Sequence, residues 1–403
     1  MSNKQKTSLV PMLRFPAFRD FPEWKAEKVD ELVDTVTPPK KLPTSSYSSK
    51  GALPIIDQSQ NAICGWTDDH DALTQDNLPL IIFGDHTCIL KLVDRPFAQG
   101  ADGIKILKSR STIGAKYLYQ YLSYKPVVTE EYKRHYSILK EKVVLFPDFK
   151  TGEQQKIADC LGSLDELIAA QVRKVDALKI HKKGLMQQLF PREGETQPRL
   201  RFPEFRDAGG WSIFELGNVS DVRDGTHDSP EFFTSGRPLV TSKNLKSDGT
   251  LDLENVSLIS EQDYEQINKR SKVSVGDILF GMIGTIGNPV LIKSEGFAIK
   301  NVALIKQLGP LMNSFVVQLL QSDYVAAIFA VLNTGNSQKF IALGKIRGLP
   351  VPVPLLLEQQ RIADCLTSLD NFITAATQQL ETLKTHKKGL MQQLFPVLED
   401  GQK

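Results

Sequence analysis

His181-Lys182-Lys183-Gly184-Leu185-Met186-Gln187-Gln188-Leu189-Phe190-Pro191 occurs twice in this chain, the second time at residues 386–396. The repeat extends N-terminally. Residues 154–191 align without a gap to residues 359–396 at a constant offset of 205, and 25 of 38 positions are identical. Chance does not give this, so the chain is two similar halves in tandem. A shorter repeat opens each half. Leu13-Arg14-Phe15-Pro16-Ala17-Phe18-Arg19-Asp20 returns as Leu200-Arg201-Phe202-Pro203-Glu204-Phe205-Arg206-Asp207, and Trp24 and Trp211 follow the two copies.

Each long repeat reads as one helix. Between residue 154 and Phe190 there is no proline, and the only glycines are Gly162 and Gly184. Apolar residues recur with heptad spacing. One row is Ile157, Leu164, Leu178 and Leu185, broken by Gln171. Its partner is Leu161, Ile168, Val175 and Leu189, broken by Lys182. The second copy gives Ile362, Leu369, Ala376, Leu383 and Leu390, then Leu366, Ile373, Leu380 and Leu394, broken by Lys387. Such a seam marks helices that pair lengthwise, and Pro191 and Pro396 stop them. About 36 residues at 1.5 Å each make a rod of roughly 54 Å.

Two near-identical seams in one chain most simply bury each other. They can run parallel or antiparallel, or each can pack into its own half. A pseudo-twofold relation between the halves favours the antiparallel pair, with the variable regions at opposite ends. Cys160 and Cys365, at matched positions beside the seam, read as small buried apolar residues.

The fold class expected is α/β. Two mixed α/β domains, residues 1–153 and 192–358, alternate with helices 154–191 and 359–396, leaving a tail at 397–403. Short β-like runs at 78–83, 104–107, 277–281 and 290–292 are separated by turns rich in Gly, Asn and Asp. Helical patterns cover 115–124 and 312–332. The two domains share few residues until Tyr136, Leu139 and Pro147, which align with Phe340, Leu343 and Pro352.

Lys plus Arg is 49 against 47 for Asp plus Glu, which excludes a basic tail. The four cysteines stand too far apart for a metal or redox pair. No apolar run is long enough for a signal peptide or membrane span, and the expected compartment is the cytoplasm.

Catalytic machinery is not found. There is no G-x-x-x-x-G-K-[ST] loop for phosphates, no H-E-x-x-H metal pair and no G-x-S-x-G nucleophile turn. Gly281, Gly284 and Gly287 read as a turn between strands. The chain is expected to be non-catalytic and to hold neither metal nor cofactor.

What remains is polar surface suited to binding. Lys133, Arg134 and His135 stand between two tyrosines in the first half, and the stretch aligned with them is Asn336, Ser337, Gln338 and Lys339. Turn-like clusters add Asp85, His86 and Thr87, then Thr226 and His227, then Lys243 and Asn244, and Thr285 in the glycine loop. These are side-chain types that contact phosphates and base edges, although composition alone favours solvated loops and structural turns.

The layout resembles the specificity (S) subunit of type I restriction-modification enzymes. The two repeats carry the resemblance, Glu153-Gln154-Gln155 with 182–190 and Glu358-Gln359-Gln360 with 387–395. Residues 81–87, 134–137, 224–227, 276–279 and 284–287 support it. The resemblance implies two target-recognition domains, each reading half of a bipartite, asymmetric site in double-stranded DNA, with the helices as spacer and partner-binding element. It implies two methyltransferase (M) subunits that carry S-adenosylmethionine and methylate adenine. Restriction (R) subunits would use ATP and magnesium.

The alternative is a non-catalytic coiled-coil scaffold that binds proteins instead of DNA. Near-neutral charge bears on this choice. Lys plus Arg against Asp plus Glu is 17 to 18 over residues 21–153 and 13 to 15 over 208–358. Such domains bind DNA weakly by themselves, and tight binding is expected only in an assembled complex.

Overall fold

The computed structural model describes residues 9–75, 77–101, 103–129, 134–332 and 340–396. The chain divides into two compact units: unit 1 is Met1–Arg173 with Gln378–Lys403, and unit 2 is Lys174–Thr377. Both divisions cut the long helices. Each unit therefore holds one mixed α/β domain, the start of one helix and the end of the other.

The strands of unit 1 are β1 (Lys25–Lys28), β2 (Val33–Val36), β3 (Leu53–Ile56), β4 (Gly65–Thr67), β5 (Leu73–Thr74), β6 (Leu80–Gly84), β7 (Leu90–Val93), β8 (Phe97–Gln99), β9 (Ile104–Ser109) and β10 (Val143–Phe146). One sheet has the order β2-β9-β6-β7 and a second β4-β3-β8-β5, while β1 pairs with β10. Every residue of β6 is buried, because its alternating side chains enter two different cores. Ile81 and Phe83 join the helix Ala115–Tyr124 and the long helices. Leu80 and Ile82 join Phe97, Ile104 and Ile106. A strand covered on both faces is apolar throughout, which explains the unbroken run at 78–83.

Unit 2 repeats the plan with β11 (Ser212–Glu215), β12 (Val222–Asp224), β13 (Arg237–Val240), β14 (Ser257–Ile259), β15 (Ile278–Gly281), β16 (Gly287–Leu291), β17 (Ala298–Ile299), β18 (Val302–Ile305) and β19 (Pro350–Val353). Its sheets are β12-β18-β15-β16, β14-β13-β17 and β11-β19. Ile278 and Phe280 enter one core and Leu279 another, as in β6.

The long helices span Glu153–Leu189 and Leu356–Leu394. In unit 1 the start of the first lies beside the end of the second, where Lys387 pairs with Asp165. In unit 2 the end of the first lies beside the start of the second, where Lys182 pairs with Asp370. The helices are antiparallel. Ile157, Leu161, Leu189, Ile362, Leu366 and Leu394 are buried, and Leu164, Ile168, Leu185, Leu369, Ile373 and Leu390 are half-buried. Each helix delivers a phenylalanine into a domain core. Phe395 lies 5.8, 5.2 and 5.5 Å from the rings of Tyr117, Tyr121 and Tyr124, and Phe190 lies 5.6 Å from Phe315.

Three expectations are corrected. The pattern at 312–332 is two helices, Asn313–Leu320 and Asp323–Leu332. The chain turns between them where the Ser322 N–H and hydroxyl both donate to the Leu319 carbonyl. The alignment of Pro147 with Pro352 is shifted. The ladders place Lys25 opposite Phe146 and Ser212 opposite Val353, so Pro147 corresponds to Pro354. Both carbonyls accept from the first helix glutamine, Gln154 or Gln359. Cys160 and Cys365 are half-buried, at the edge of the seam.

Candidate nucleic-acid interface

In unit 1 the chain leaves β6 at Gly84 and turns through Asp85, His86 and Thr87 into β7. A Cβ on Gly84 would lie 2.3 Å from Thr87 Oγ1, so a larger residue there would displace the Thr87 hydroxyl. The Thr87 hydroxyl donates to the Gln58 carbonyl at 2.8 Å. Asp85 is 6% exposed. Its carbonyl accepts from the His135 N–H at 2.9 Å, and its Oδ1 accepts from the Tyr136 N–H at 2.8 Å. His135 is buried and anchors the helix Tyr136–Glu141, which removes it from the contact surface. His86, Thr87 and Arg134 are exposed. Lys41, Asp85, His86, Gly103, Ile104, Lys105 and Arg134 line a cleft of ≈ 330 Å³. Sequence reasoning missed Lys41 and Lys105, which stand far from the turn in the chain. Lys133 lies outside the described residues.

In unit 2 a polar cluster is built on Asn301, which holds a left-handed backbone at φ 54°. A Cβ on Gly225 would lie 2.3 Å from the Ile299 carbonyl. The Thr226 N–H donates to that carbonyl, and the Asn301 N–H donates to the Thr226 carbonyl. His227 places Nδ1 2.8 Å from Asn301 Oδ1 and Nε2 2.9 Å from Asp224 Oδ2. The Asn301 hydrogen bond, followed by that from Asp224, raises the His227 pKa above the ordinary histidine value. Buried Asp224 also pairs with Arg270. His227 is thus exposed, but both its nitrogens are engaged.

Asn244 is buried. Its Oδ1 accepts from the Thr241 N–H and hydroxyl, and its Nδ2 donates to the Asn255 carbonyl, so it shapes the turn. Its neighbour Lys243 is exposed, as is Thr285 in the turn between β15 and β16. Phe340, bridged to Ile283, stands exposed near that turn. Asn336, Ser337, Gln338 and Lys339 lie outside the described residues. Among the described residues no cluster of His, Cys, Asp or Glu could hold a metal ion, and no helix is long and apolar enough to cross a membrane.

An arginine–glutamate pair fixes each domain to its helix. Arg14 Nε and Nη2 donate to both oxygens of Glu153, at 2.8 and 2.7 Å. Arg201 does the same to Glu358, at 2.7 and 2.8 Å. These pairs are almost wholly buried. Gln154 Oε1 accepts from the Gly114 N–H, and Gln359 Oε1 from the Met312 N–H. Each glutamine thereby ties its helix to the loop that starts a domain helix. The repetition was the available signal, but partners 139 and 157 positions away were beyond sequence reading.

Residues 209–385 match the family described as the type I restriction modification DNA specificity domain. Over that stretch the chain resembles type I restriction-modification specificity subunits, and the curated relatives it matches carry that name. It is 26% identical over 261 residues to the type I restriction enzyme MjaVIII specificity subunit of Methanocaldococcus jannaschii, covering 60% of this chain and 59% of that protein. It is 22% identical over 351 residues to the EcoR124I/EcoR124II specificity subunit of Escherichia coli, covering 83% of each. The chain thus spans about three-fifths of the first curated relatives it matches. The crystal structure of a type I restriction-modification S subunit from M. genitalium has the same fold. Its TM-score is 0.67 at 16% identity, covering 96% of this chain and all of that one. In a chain with this resemblance, the duplicated sheets with unlike turns are the feature that bears on function.

Proposed function

We propose that this chain is the DNA-binding S subunit of a type I restriction-modification complex and reads a bipartite, asymmetric site. One observation carries the reading. The two units share a strand plan, yet the residues that follow β6 and β15 differ completely, Asp85-His86-Thr87 in one and Met282-Ile283-Gly284 in the other. One scaffold with two different reading surfaces suits two different half-sites. Lys41, Lys105 and Arg134 would meet phosphates, and exposed turn side chains would meet base edges.

In this reading the chain performs no chemistry. Two M subunits bearing S-adenosylmethionine methylate adenine, R subunits bearing ATP and magnesium cleave, and the assembly works in the cytoplasm. The helix pair serves as spacer and partner-binding element. The test is enrichment of a random DNA library by the chain assembled with its methyltransferase subunits. A split motif with an unread gap is expected. An unbroken motif, or stable protein complexes without DNA preference, would favour the adaptor reading.

A further inference from the structure

We propose that Ile283 and Phe340 are specificity-determining residues of unit 2, packing on the C5-methyl group of a thymine in its half-site. The inference rests on the DNA-reading role proposed above. Ile283 is 39% exposed and Phe340 43% exposed. An isolated antiparallel bridge sets them opposite each other, which brings their Cβ atoms to about 4.5–5.5 Å on one face. The frame is fixed next to them, where the Met282 carbonyl accepts from the Ile341 N–H at 2.9 Å. A single exposed apolar side chain is ordinary on a protein surface. Here two large ones stand side by side on a hydrogen-bonded frame, and water gains by leaving both.

Their place in the fold ties them to reading. Strand β6 ends at Gly84 and β15 at Gly281. The next residue is buried in both units, Asp85 or Met282, and the one after it is exposed, His86 or Ile283. One exposed position of a shared scaffold therefore carries an imidazole in unit 1 and a branched alkyl group in unit 2. Gly284 follows at φ 72°, with nothing within 4 Å of where a Cβ would sit. The backbone beside Ile283 is bare, and a flat base edge can approach it.

The surroundings suit a nucleic acid better than an apolar protein surface. The Ile283 N–H donates to Ser242 Oγ at 3.5 Å, which sets the turn beside Lys243. Lys243 is exposed, and among the described residues no carboxylate pairs with it. A free cation next to an apolar pair complements a phosphate next to a base. The chemistry then selects the base. In the major groove guanine, cytosine and adenine present donors and acceptors, and thymine alone adds a methyl group. Isoleucine and phenylalanine side chains make no hydrogen bonds, so the methyl is the group they can tell apart.

The experiment takes the site selected by the assembled complex and replaces its thymines one at a time by deoxyuridine, which lacks only the methyl. One replacement is expected to weaken wild-type binding about fourfold, the worth of burying one methyl-sized group. With Ile283→Ala or Phe340→Ala the same replacement should cost about twofold or less, while the other half-site and the gap stay unchanged. A penalty that persists in full in both variants overturns the inference. No penalty at any thymine overturns it as well, whether or not a variant folds and assembles, and leaves the DNA-reading role standing. No split motif with the wild-type chain overturns the role itself.

Discussion

Lys387 donates to Asp165 at 2.6 Å across the helix pair. The other oxygen of this carboxylate accepts from Gln120 of the helix Ala115–Tyr124 at 2.7 Å. Unit 2 repeats the arrangement with Lys182, Asp370 and Gln318 at 2.6 and 2.8 Å. The lysines that break the apolar rows are thus the residues that link helix to helix and helix to domain. Any slipped or parallel pairing leaves a lysine inside the seam without its acid, which is how a polar seam residue fixes register.

Reversing one charge should therefore destabilise, and reversing both should restore. Asp165→Lys is expected to cost about 1–3 kcal/mol, between exposed and fully buried ion pairs. Adding Lys387→Asp should recover most of it. Urea unfolding of the single and double variants measures the coupling, and additive losses would contradict it.

The Arg14–Glu153 pair is deeper. Arg14→Ala leaves a buried carboxylate alone and should cost about 3–5 kcal/mol. Replacing both partners, Arg14→Met with Glu153→Leu, should cost much less, because no orphan charge remains. Thermal and denaturant unfolding distinguish the two, and the same contrast is expected for Arg201 and Glu358.

His227 should titrate above the free value of about 6.5. A histidine whose folded pKa is raised contributes stability that is full below its unfolded pKa. That contribution is lost as pH rises through the folded pKa. Stability of the turn should thus decline above about pH 6.5. Asn301→Ala removes the largest cause and should move the imidazole titration, followed by NMR, back toward 6.5. An unchanged titration would refute the network.

The spacer role predicts a change in gap without a change in half-sites. Four residues, about one turn, inserted between Val172 and Lys179 and at the matching point after Thr377 keep the two helices in register. The ~6 Å of added helix should lengthen the recognised gap by about two base pairs. Methylome sequencing reads the result, and altered half-site sequences would count against a spacer.

Near-neutral domains imply salt-sensitive, weak binding by the chain alone. Titrations of labelled site DNA at several salt concentrations should give tight binding only with the methyltransferase subunits present. Tight specific binding by the isolated chain at physiological salt would show that a local cationic face outweighs the average charge.

Local signals made much of this architecture legible in advance. Heptad rows exposed the helix pair, and the apolar runs exposed β6 and β15. The direction of pairing rests on Lys182 and Lys387, which appear in sequence as interruptions and acquire meaning only beside Asp370 and Asp165. The recognition surface was legible as residue types and not as roles. His135 and Asn244 look like base-contacting side chains, yet burial turns them inward. Lys41 and Lys105 reach the Asp85 turn through sheet pairing, which no short window of sequence contains.

Unit 2 is one continuous stretch, Lys174–Thr377, whereas unit 1 draws on residues made after all of it. Phe395 fills the aromatic pocket of Tyr117, Tyr121 and Tyr124, more than 250 positions downstream of them. During synthesis the second recognition domain can therefore close while the first is still waiting for its final helix. The half translated first is thus the half completed last. A chain ending after Thr377 would keep every residue of unit 2 and lose Met391, Leu394 and Phe395 from the core of unit 1.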